Sequence, residues 1–204
     1  PIATLLTQVV VDPDDPAFAQ PTKPIGPVYR PEEADALAGR FGWTLMPERA
    51  GGGDWRRVVA SPAPRAVVEV DAIGVLLDAG VVVVCAGGGG VPVADDGERL
   101  LGIEAVVDKD ATSALLAEQL RADRLVLLTD VDAVVAGWGT PDAHPIGEVA
   151  AADLAPEQFA AGSMGPKVAA ACSFTQRTGR PSVIGSLDQL DAVLAGHAGT
   201  RIVP

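Results

Sequence analysis

The feature that most constrains the fold is a regular alternation of apolar runs and helix-like segments from residue 65 to the C-terminus. The runs "VVVVCA" (81–86), "RLVLLT" (124–129) and "PSVIGS" (181–186) are short and rich in Val, Leu and Ile. Such runs are typical of strands that are buried on both faces. The alternation therefore predicts an α/β fold with a mostly parallel sheet and helices on both faces of that sheet.

The segments between these strands are predicted as helices and turns. The helices are expected over 65–79, from the "DKD" motif (108–110) to Leu120, over "LAPEQFAAG" (154–162) and over 167–177. "IEAVV" (103–107) is predicted as a further short strand after a polar loop. Gly80 suits the residue that follows a helix C-terminus, because that position favours a left-handed backbone.

The first 64 residues follow another pattern. Residues 4–11 are predicted as a strand, and the Pro- and Asp-rich residues 12–31 exclude a helix or a central strand. A short helix (32–41) and two β-like pieces, "WTLMP" and "RRVVAS", follow. We predict three parts: residues 1–12 as a strand of the main body, 13–64 as a protruding subdomain, and 65–204 as the α/β body.

Composition limits the partners and the cellular compartment. The formal net charge is −12, which argues against nucleic acid or an anionic membrane surface as a partner but permits a local site for a small anion. Cys85 and Cys172 lie far apart in apolar contexts, which favours buried, reduced thiols in a cytoplasmic protein. The sequence contains no apolar run that approaches the length of a membrane span, and no signal-peptide pattern.

A run of four glycines follows the predicted strand at 81–86, where a sheet of this kind binds its ligands. Gly87, Gly88, Gly89 and Gly90 are costly to order, so they suit a loop whose backbone N–H groups approach an anion. A flexible tight turn is the alternative. The spacing matches neither a dinucleotide fingerprint nor a P-loop.

Two lysines occupy positions that local structure does not favour, and a third lies on a stiffened loop. In "DKD", Asp110 suits the N-cap of a helix, whereas Lys109 opposes the helix dipole. In "GSMGPKV", Pro166 suits the first helical position and Lys167 again places a cation in the first turn. Lys23 lies in "PTKPIGP" (21–27), where prolines stiffen the backbone on both sides. Three such lysines predict an anion site suited to phosphoryl transfer, which depends on positioning and charge neutralisation.

Other candidate groups are less decisive. Asp130 and Asp132 in "LTDVDAV" follow the strand at 124–129 and could contact a nucleotide or a metal, or could cap their own loop. His144 and His197 lack partners at metal-ligand spacing and are assigned no role.

Taken in order, these loops resemble the carbamate kinases, which have the amino acid kinase fold. The resemblance rests on "TQVVVDPDDPAF", "PTKPIGP", "RRVVASP", "AGGGGVPV", "GIEAVVDKDATSALLA", "LTDVDAV", "AAGSMGPKV", "IGSL" and "AGTRIV". It implies a three-layer αβα sandwich with a small protruding β-rich subdomain, and a homodimer. The implied activity is a reversible, Mg²⁺-dependent transfer between carbamoyl phosphate with ADP and carbamate with ATP.

The resemblance also implies roles for individual residues. Lys23 would reach over the transferring phosphoryl group, Lys109 and Lys167 would contact the phosphates, and Asp110 would orient the lysines. The glycine run would lie near the carbamoyl group, and no protein residue is assigned as a metal ligand. The residues expected to border the adenine and ribose are Asp130, Val131, Asp132, Ser163, Met164, Gly165 and Pro166.

One departure from the family is large. Carbamate kinases begin with a strand and a Gly-Gly-Asn-Ala loop, which this sequence lacks. We therefore expect a fragment of a longer enzyme, with a naturally shortened relative as the alternative. A non-catalytic nucleotide-binding or regulatory module is the competing functional hypothesis, and "PTKPIGP" disfavours another amino acid kinase. Fermentative arginine breakdown and purine breakdown both remain open as pathways.

Overall fold

A computed structural model describes residues 1–48, 52–159 and 163–204. These residues form fifteen strands, five α-helices and four short 3₁₀ turns. The strands are β1 (Ile2–Thr4), β2 (Gln8–Val11), β3 (Lys23–Tyr29), β4 (Thr44–Pro47), β5 (Trp55–Val59), β6 (Pro64–Val67), β7 (Val82–Val84), β8 (Val91–Asp95), β9 (Leu100–Gly102), β10 (Leu125–Thr129), β11 (Val135–Ala136), β12 (His144–Pro145), β13 (Glu148–Ala150), β14 (Ser182–Ser186) and β15 (Thr200–Val203). The helices are α1 (Pro31–Phe41), α2 (Val70–Asp78), α3 (Lys109–Gln119), α4 (Met164–Thr178) and α5 (Leu190–Leu194).

Apart from the short antiparallel pair β11–β12, the body of the molecule contains three sets of paired strands. Their orders are β10–β14–β15–β13, β6–β2–β8–β9 and β1–β7. Within the described residues, β1–β7, β2–β8, β10–β14 and β13–β15 are parallel pairs, and the other three pairings are antiparallel. All five residues of β14 are buried, and both α4 and α5 contact this strand. Helices therefore cover both faces, and the predicted α/β sandwich is confirmed, with parallel and antiparallel pairings combined in its sheets.

Two apolar clusters form the core. One lies between α3, α4 and the β10–β14–β15 strands and includes the fully buried Phe174 and Ile184. The other contains Val9, Ile73 and Val107, and it packs beneath β2. The two clusters share α3, because Ala114 belongs to the first while Leu115 and Leu116 pack against the second. This helix is thereby held firmly, and its N-terminus is a rigid place for a site.

The N-terminal region forms a separate small sheet of order β3–β5–β4, with antiparallel pairings and with α1 packed against it. β3 contains Pro24 and Pro27, which it tolerates because it lies at the edge of this sheet. The predicted helix at 32–41 and both β-like pieces are confirmed. The proposed division at residues 12 and 64 stays a prediction.

The predicted helix at 65–79 is wrong over its first part. Pro64–Val67 forms β6, which pairs antiparallel with β2, and α2 begins only at Val70. Pairing with β2 decides this, because it buries Val67 opposite Val9 in the core. The helix does end as predicted, since Gly80 follows it with φ +74°.

The segment before α3 also differs from prediction. "IEAVV" (103–107) is not a strand, and the predicted polar loop contains β8 and β9, which form an antiparallel hairpin. β8 gains its strand conformation from parallel pairing with β2, a long-range contact that local composition does not reveal. The predicted strand at 4–11 is likewise two strands, separated at residues 5–7.

The predicted helix at 154–162 is wrong where it is described. Pro156–Gln158 forms only a 3₁₀ turn, and residues 160–162 of this prediction lie outside the described residues. In the ranges that the structure covers, no helix combines the length and the apolar character needed to cross a membrane.

Candidate functional site

The chain contains three lysines, and the fold gathers all of them around two carboxylates at the start of α3. Lys23 comes from β3 of the small sheet, Lys109 from the first position of α3, and Lys167 from the first turn of α4. The sequence identified each lysine separately as a candidate. Their convergence is a property of the tertiary structure.

Asp108, and not Asp110, is the N-cap of α3. One Asp108 carboxylate oxygen accepts the backbone N–H groups of Asp110 at 2.9 Å and of Ala111 at 3.2 Å. The predicted capping role of Asp110 is therefore wrong, because the helix begins at Lys109, two residues earlier than a cap at Asp110 would place it. The Asp110 side chain is instead buried, with 6% of its residue surface exposed, and is available for the lysines.

Asp110 binds two of the three ammonium groups. Lys167 Nζ lies 3.1 Å from both of its carboxylate oxygens, and Lys109 Nζ lies 3.2 Å from one of them. The Lys167 side chain is 11% exposed, whereas that of Lys109 is 56% exposed. Burial lowers the pKa of Lys109, but the Asp110 carboxylate outweighs it and raises this pKa above its ordinary value. Asp110 thus fixes Lys167 as a buried cation and leaves Lys109 at the surface.

The helix that carries Lys167 begins earlier than predicted. α4 starts at Met164 after the N-cap Ser163, so Pro166 is its third residue and Lys167 its fourth. Lys167 still lies at the positive end of the helix dipole, as the sequence argument required. The buried carboxylate of Asp110 offsets this unfavourable placement.

Lys23 reaches the same helix terminus from the small sheet. Its Nζ lies 2.7 Å from the second carboxylate oxygen of Asp108, and both side chains are partly exposed. Burial alone raises the pKa of Asp108, but Lys23 and the N–H groups of Ala111 and Asp110 outweigh it, so this pKa lies below its ordinary value. Asp108 was not among the predicted site residues. Its place directly before the helix, in the same "DKD" motif, was the available signal.

The glycine loop packs directly against this helix terminus. Gly89 has φ +130°, and a Cβ there would lie 2.1 Å from the carbonyl oxygen of Val107. The Gly89 carbonyl in turn accepts the hydroxyl of Thr112 in α3 at 2.9 Å. Gly87 and Gly89 donate their N–H groups within the loop, to the carbonyls of Cys85 and Ala86. The loop therefore lies beside the lysines, but these two N–H groups are not free to bind an anion.

The predicted nucleotide-contacting residues lie at the same edge of the fold. Asp130, Val131 and Asp132 directly follow β10, and α4 begins at the carboxyl edge of the strands, because it runs back along the sheet before β14. Asp132 accepts the side-chain amide of Gln189 at 2.8 Å, and Asp130 accepts the hydroxyl of Thr129 at 3.0 Å.

Of the residues at the start of α4, Ser163 is exposed, Met164 packs against the core and Gly165 is buried. Pro166 and Asp108 line a cavity of about 350 Å³ between α3 and α4. Among the described residues, the four at the start of α4 (163–166) and the two aspartates Asp130 and Asp132 form no ion pair or side-chain hydrogen bond with the lysines.

Two further observations bear on ligands. A larger cavity of about 480 Å³, lined by Arg124, His197 and Arg201, lies away from the lysines, and Arg201 is already paired with Glu148 at 2.6 Å. In the parts of the chain that the structure covers, no three His, Cys, Asp or Glu side chains come together to hold a metal ion.

The lysine cluster itself carries three positive and two negative groups, which leaves one net positive charge in a chain of net charge −12.

Comparison with known proteins extends this description. The model of the amino acid kinase family matches residues 30–186. A carbamate kinase of Escherichia coli K12 is 52% identical over 202 residues, which cover 99% of this chain and 66% of that protein. A carbamate kinase of Thermoplasma volcanium is 45% identical over 207 residues, which cover 100% of this chain and 67% of that protein.

A solved structure of carbamate kinase from Giardia lamblia bound to AMP-PNP superimposes with a TM-score of 0.85 at 43% identity. The match covers 99% of this chain and 65% of that one. The chain thus spans about two thirds of the length of these relatives. The fold, the ordered motifs and these similarities agree: the chain belongs to the amino acid kinase family and, within it, groups with the carbamate kinases.

Proposed function

We propose that this protein is a carbamate kinase, which transfers a phosphoryl group reversibly between carbamoyl phosphate with ADP and carbamate with ATP. The observation that carries the proposal is the convergence of Lys23, Lys109 and Lys167 at the N-terminus of α3. Phosphoryl transfer needs positioned positive charge around the transferring group more than it needs a covalent partner. These three ammonium groups supply that charge from three separate elements.

The exposure of each lysine suggests a division of labour. Lys167 is nearly buried and bound by both oxygens of Asp110, so it is proposed as the fixed cation that bridges the phosphates. Lys109 and Lys23 are partly exposed and each holds one carboxylate oxygen, so both are free to exchange that partner for a phosphate oxygen. Lys109 is proposed to bind the nucleotide phosphates, and Lys23 to reach the transferring phosphoryl group. Asp110 orients Lys109 and Lys167.

The remaining ligand contacts follow from the residues around the lysines. Gly87–Gly90 is proposed to lie near the carbamoyl group, and residues 130–132 and 163–166 to border the adenine and ribose. The Giardia lamblia relative bound to AMP-PNP supports the nucleotide part. Mg²⁺ is proposed to enter with the nucleotide as MgADP or MgATP, since both carboxylates of the cluster are paired with lysines. A homodimer, a cytoplasmic location, and small-molecule substrates without nucleic acid or membrane partners complete the proposal.

A non-catalytic nucleotide-binding module is the second candidate. The observation in its favour is that all three lysines are already paired with carboxylates, as they would also be in a purely structural ion-pair network. The retention of all three lysines and of Asp110 opposes it, because a module that only binds a nucleotide does not need a cation aimed at the transferring group.

Titration of the 204-residue chain with MgADP, followed by an assay for ATP formation from carbamoyl phosphate and MgADP, tests the proposal. We expect MgADP binding that weakens at least about tenfold in Lys109→Met, because a charge-assisted contact contributes about 1.5–3 kcal/mol. Arg99→Met is the matched control, since Arg99 is an exposed cation that is paired with Asp96, three residues earlier, and not with the lysine cluster. Binding with ATP formation supports the kinase, whereas binding without it favours the module. No binding contradicts a nucleotide site in these residues.

A further inference from the structure

The Asp108 carboxylate connects two parts of the molecule. One of its oxygens caps α3 through the N–H groups of Asp110 and Ala111, and the other accepts Lys23 Nζ at 2.7 Å. Capping needs only one acceptor oxygen, and Asn or Ser would supply it equally well. The second oxygen is therefore not explained by the helix. Its partner, Lys23, lies 85 residues earlier, on the edge strand of the small sheet.

The small sheet also contacts the stretch before α3 at two other points. Arg57 of β5 forms an ion pair with Glu104, and the N–H of Val106 donates to the carbonyl of Ala60 at 3.0 Å. The Arg57 guanidinium also lies 4.4 Å from the ring centroid of Trp43. These contacts fix the position of the small sheet against the body. The ion pair with Asp108 is therefore not needed for that purpose, and it fixes the position of the Lys23 ammonium group.

The location of this ion pair is what makes it informative. Asp108 and Asp110 lie two residues apart at one helix terminus, and Asp110 holds the other two lysines. Asp108 thus keeps the Lys23 ammonium at the same helix terminus at which Asp110 holds Lys109 and Lys167. A partly exposed ion pair of this kind is weak and easily exchanged, so an incoming anion can take Lys23 from the carboxylate.

We propose that Asp108 is a positioning residue, which holds the Lys23 ammonium at the N-terminus of α3 until a phosphoryl oxygen replaces the carboxylate. The proposal rests on the proposed phosphoryl transfer and adds a residue to it. Asp108 does not touch the reacting atoms in this scheme. It acts by limiting where the flexible side chain of Lys23 is found before the substrate binds.

Asp108→Asn separates the two roles of the residue, because Asn keeps the helix cap and loses the charge. Asp96→Asn is the matched control. Asp96 also accepts two backbone N–H groups, from Glu98 and Arg99, and it lies in an exposed turn away from the lysines. Both variants change the net charge by the same amount, and a thermal melt shows whether each is folded.

The first measurement is the rate at which a succinimidyl ester labels each amine, read by peptide mass spectrometry. The chain offers three lysines and one α-amino group, so every site is resolved. Losing a partly exposed ion pair is expected to raise the fraction of time that the amine is free, and hence its labelling rate, by about two- to fivefold. We expect Lys23 to be labelled faster by this factor in Asp108→Asn, with Lys167 unchanged, and no change at Lys23 in Asp96→Asn. An unchanged Lys23 rate in Asp108→Asn overturns the proposal.

The second measurement is ATP formation from carbamoyl phosphate and MgADP. A positioning role predicts a kcat lowered at least fivefold in Asp108→Asn, with the KM for MgADP within about twofold of the original. A normal kcat overturns the positioning role, even if labelling shows that the ion pair existed. If the unsubstituted chain forms no ATP, the proposed function fails for this chain, and the labelling result alone then decides whether Asp108 holds Lys23.

Discussion

Removing the Asp110 carboxylate is the sharpest test of how the lysine cluster is held together. Asp110→Asn is nearly isosteric, but it leaves Lys167 with 11% of its side chain exposed and no counter-ion at 3.1 Å. Breaking a buried pair by removing one partner costs about 3–5 kcal/mol. We expect the lower end, about 3 kcal/mol, because the Asn carbonyl oxygen still accepts one hydrogen bond from Lys167. For a chain of this size that corresponds to a melting temperature lowered by about 6–12 °C.

The same geometry predicts an asymmetry between the two partners. In Lys167→Met, Asp110 keeps Lys109 at 3.2 Å, and the half-exposed Lys109 side chain remains solvated. This variant should therefore lose only about 1 kcal/mol. The double variant Asp110→Asn/Lys167→Met removes the buried charge together with its partner, and it should recover most of the stability lost in Asp110→Asn.

Urea unfolding followed by circular dichroism and tryptophan fluorescence measures these differences, with a constant m value as the check that only stability has changed. Two results would refute the reasoning. One is an Asp110→Asn variant within about 1 kcal/mol of the original, a value typical of exposed pairs. The other is a double variant whose loss equals the sum of the single losses, because that would mean that Asp110 and Lys167 do not interact.

Three further predictions concern the surroundings of the cluster. Gly89→Ala should lower the urea midpoint strongly, because a Cβ would lie 2.1 Å from the Val107 carbonyl oxygen. Gly88→Ala should leave the midpoint nearly unchanged, since a Cβ there meets nothing within 4 Å. Equal midpoints in the two variants would contradict the packing described. The lowered pKa of Asp108 means that its stabilisation is complete above pH 3.8 and is lost as the pH falls through the folded-state pKa. Asp108→Asn should therefore lose stability less steeply than the original chain as the pH falls below the ordinary Asp pKa of 3.8 in an acid titration, and parallel curves would argue against it. Burial raises the pKa of both Cys85 and Cys172, so iodoacetamide at pH 7.5 should label them far more slowly in the folded chain than in urea, and equal rates would show that the thiols are accessible.

Local patterns predicted the elements whose stability is mainly local. α1, β10 and β14 appear where apolar periodicity placed them, within one or two residues. The prolines of β3 correctly excluded a central strand, because a residue without an N–H group cannot bond on both sides of a sheet. The three lysines were also recognised locally, since a cation at a helix N-terminus opposes the helix dipole and since prolines stiffen the backbone around Lys23.

The elements that were wrong depend on distant partners. Pro64–Val67 is a strand only because β2 lies beside it, and Val91–Asp95 only because the same strand pairs with it on the other side. No feature within either segment signals that pairing. The N-cap error at α3 has a related cause: Asp108 and Asp110 are equivalent as capping residues, and only the packed helix shows which of them begins it.

The sequence by itself determined the α/β class, the family and the three lysines, because apolar periodicity, ordered motifs and local electrostatics are properties of short segments. The tertiary structure decided how those lysines are paired. It buried Asp110 between Lys109 and Lys167, and it brought Lys23 across 85 residues to Asp108. Such pairings arise when the core fixes α3 against α4 and the small sheet against the body. The charge of each residue can be read from the sequence, whereas its partner is set by packing between segments that are far apart along the chain.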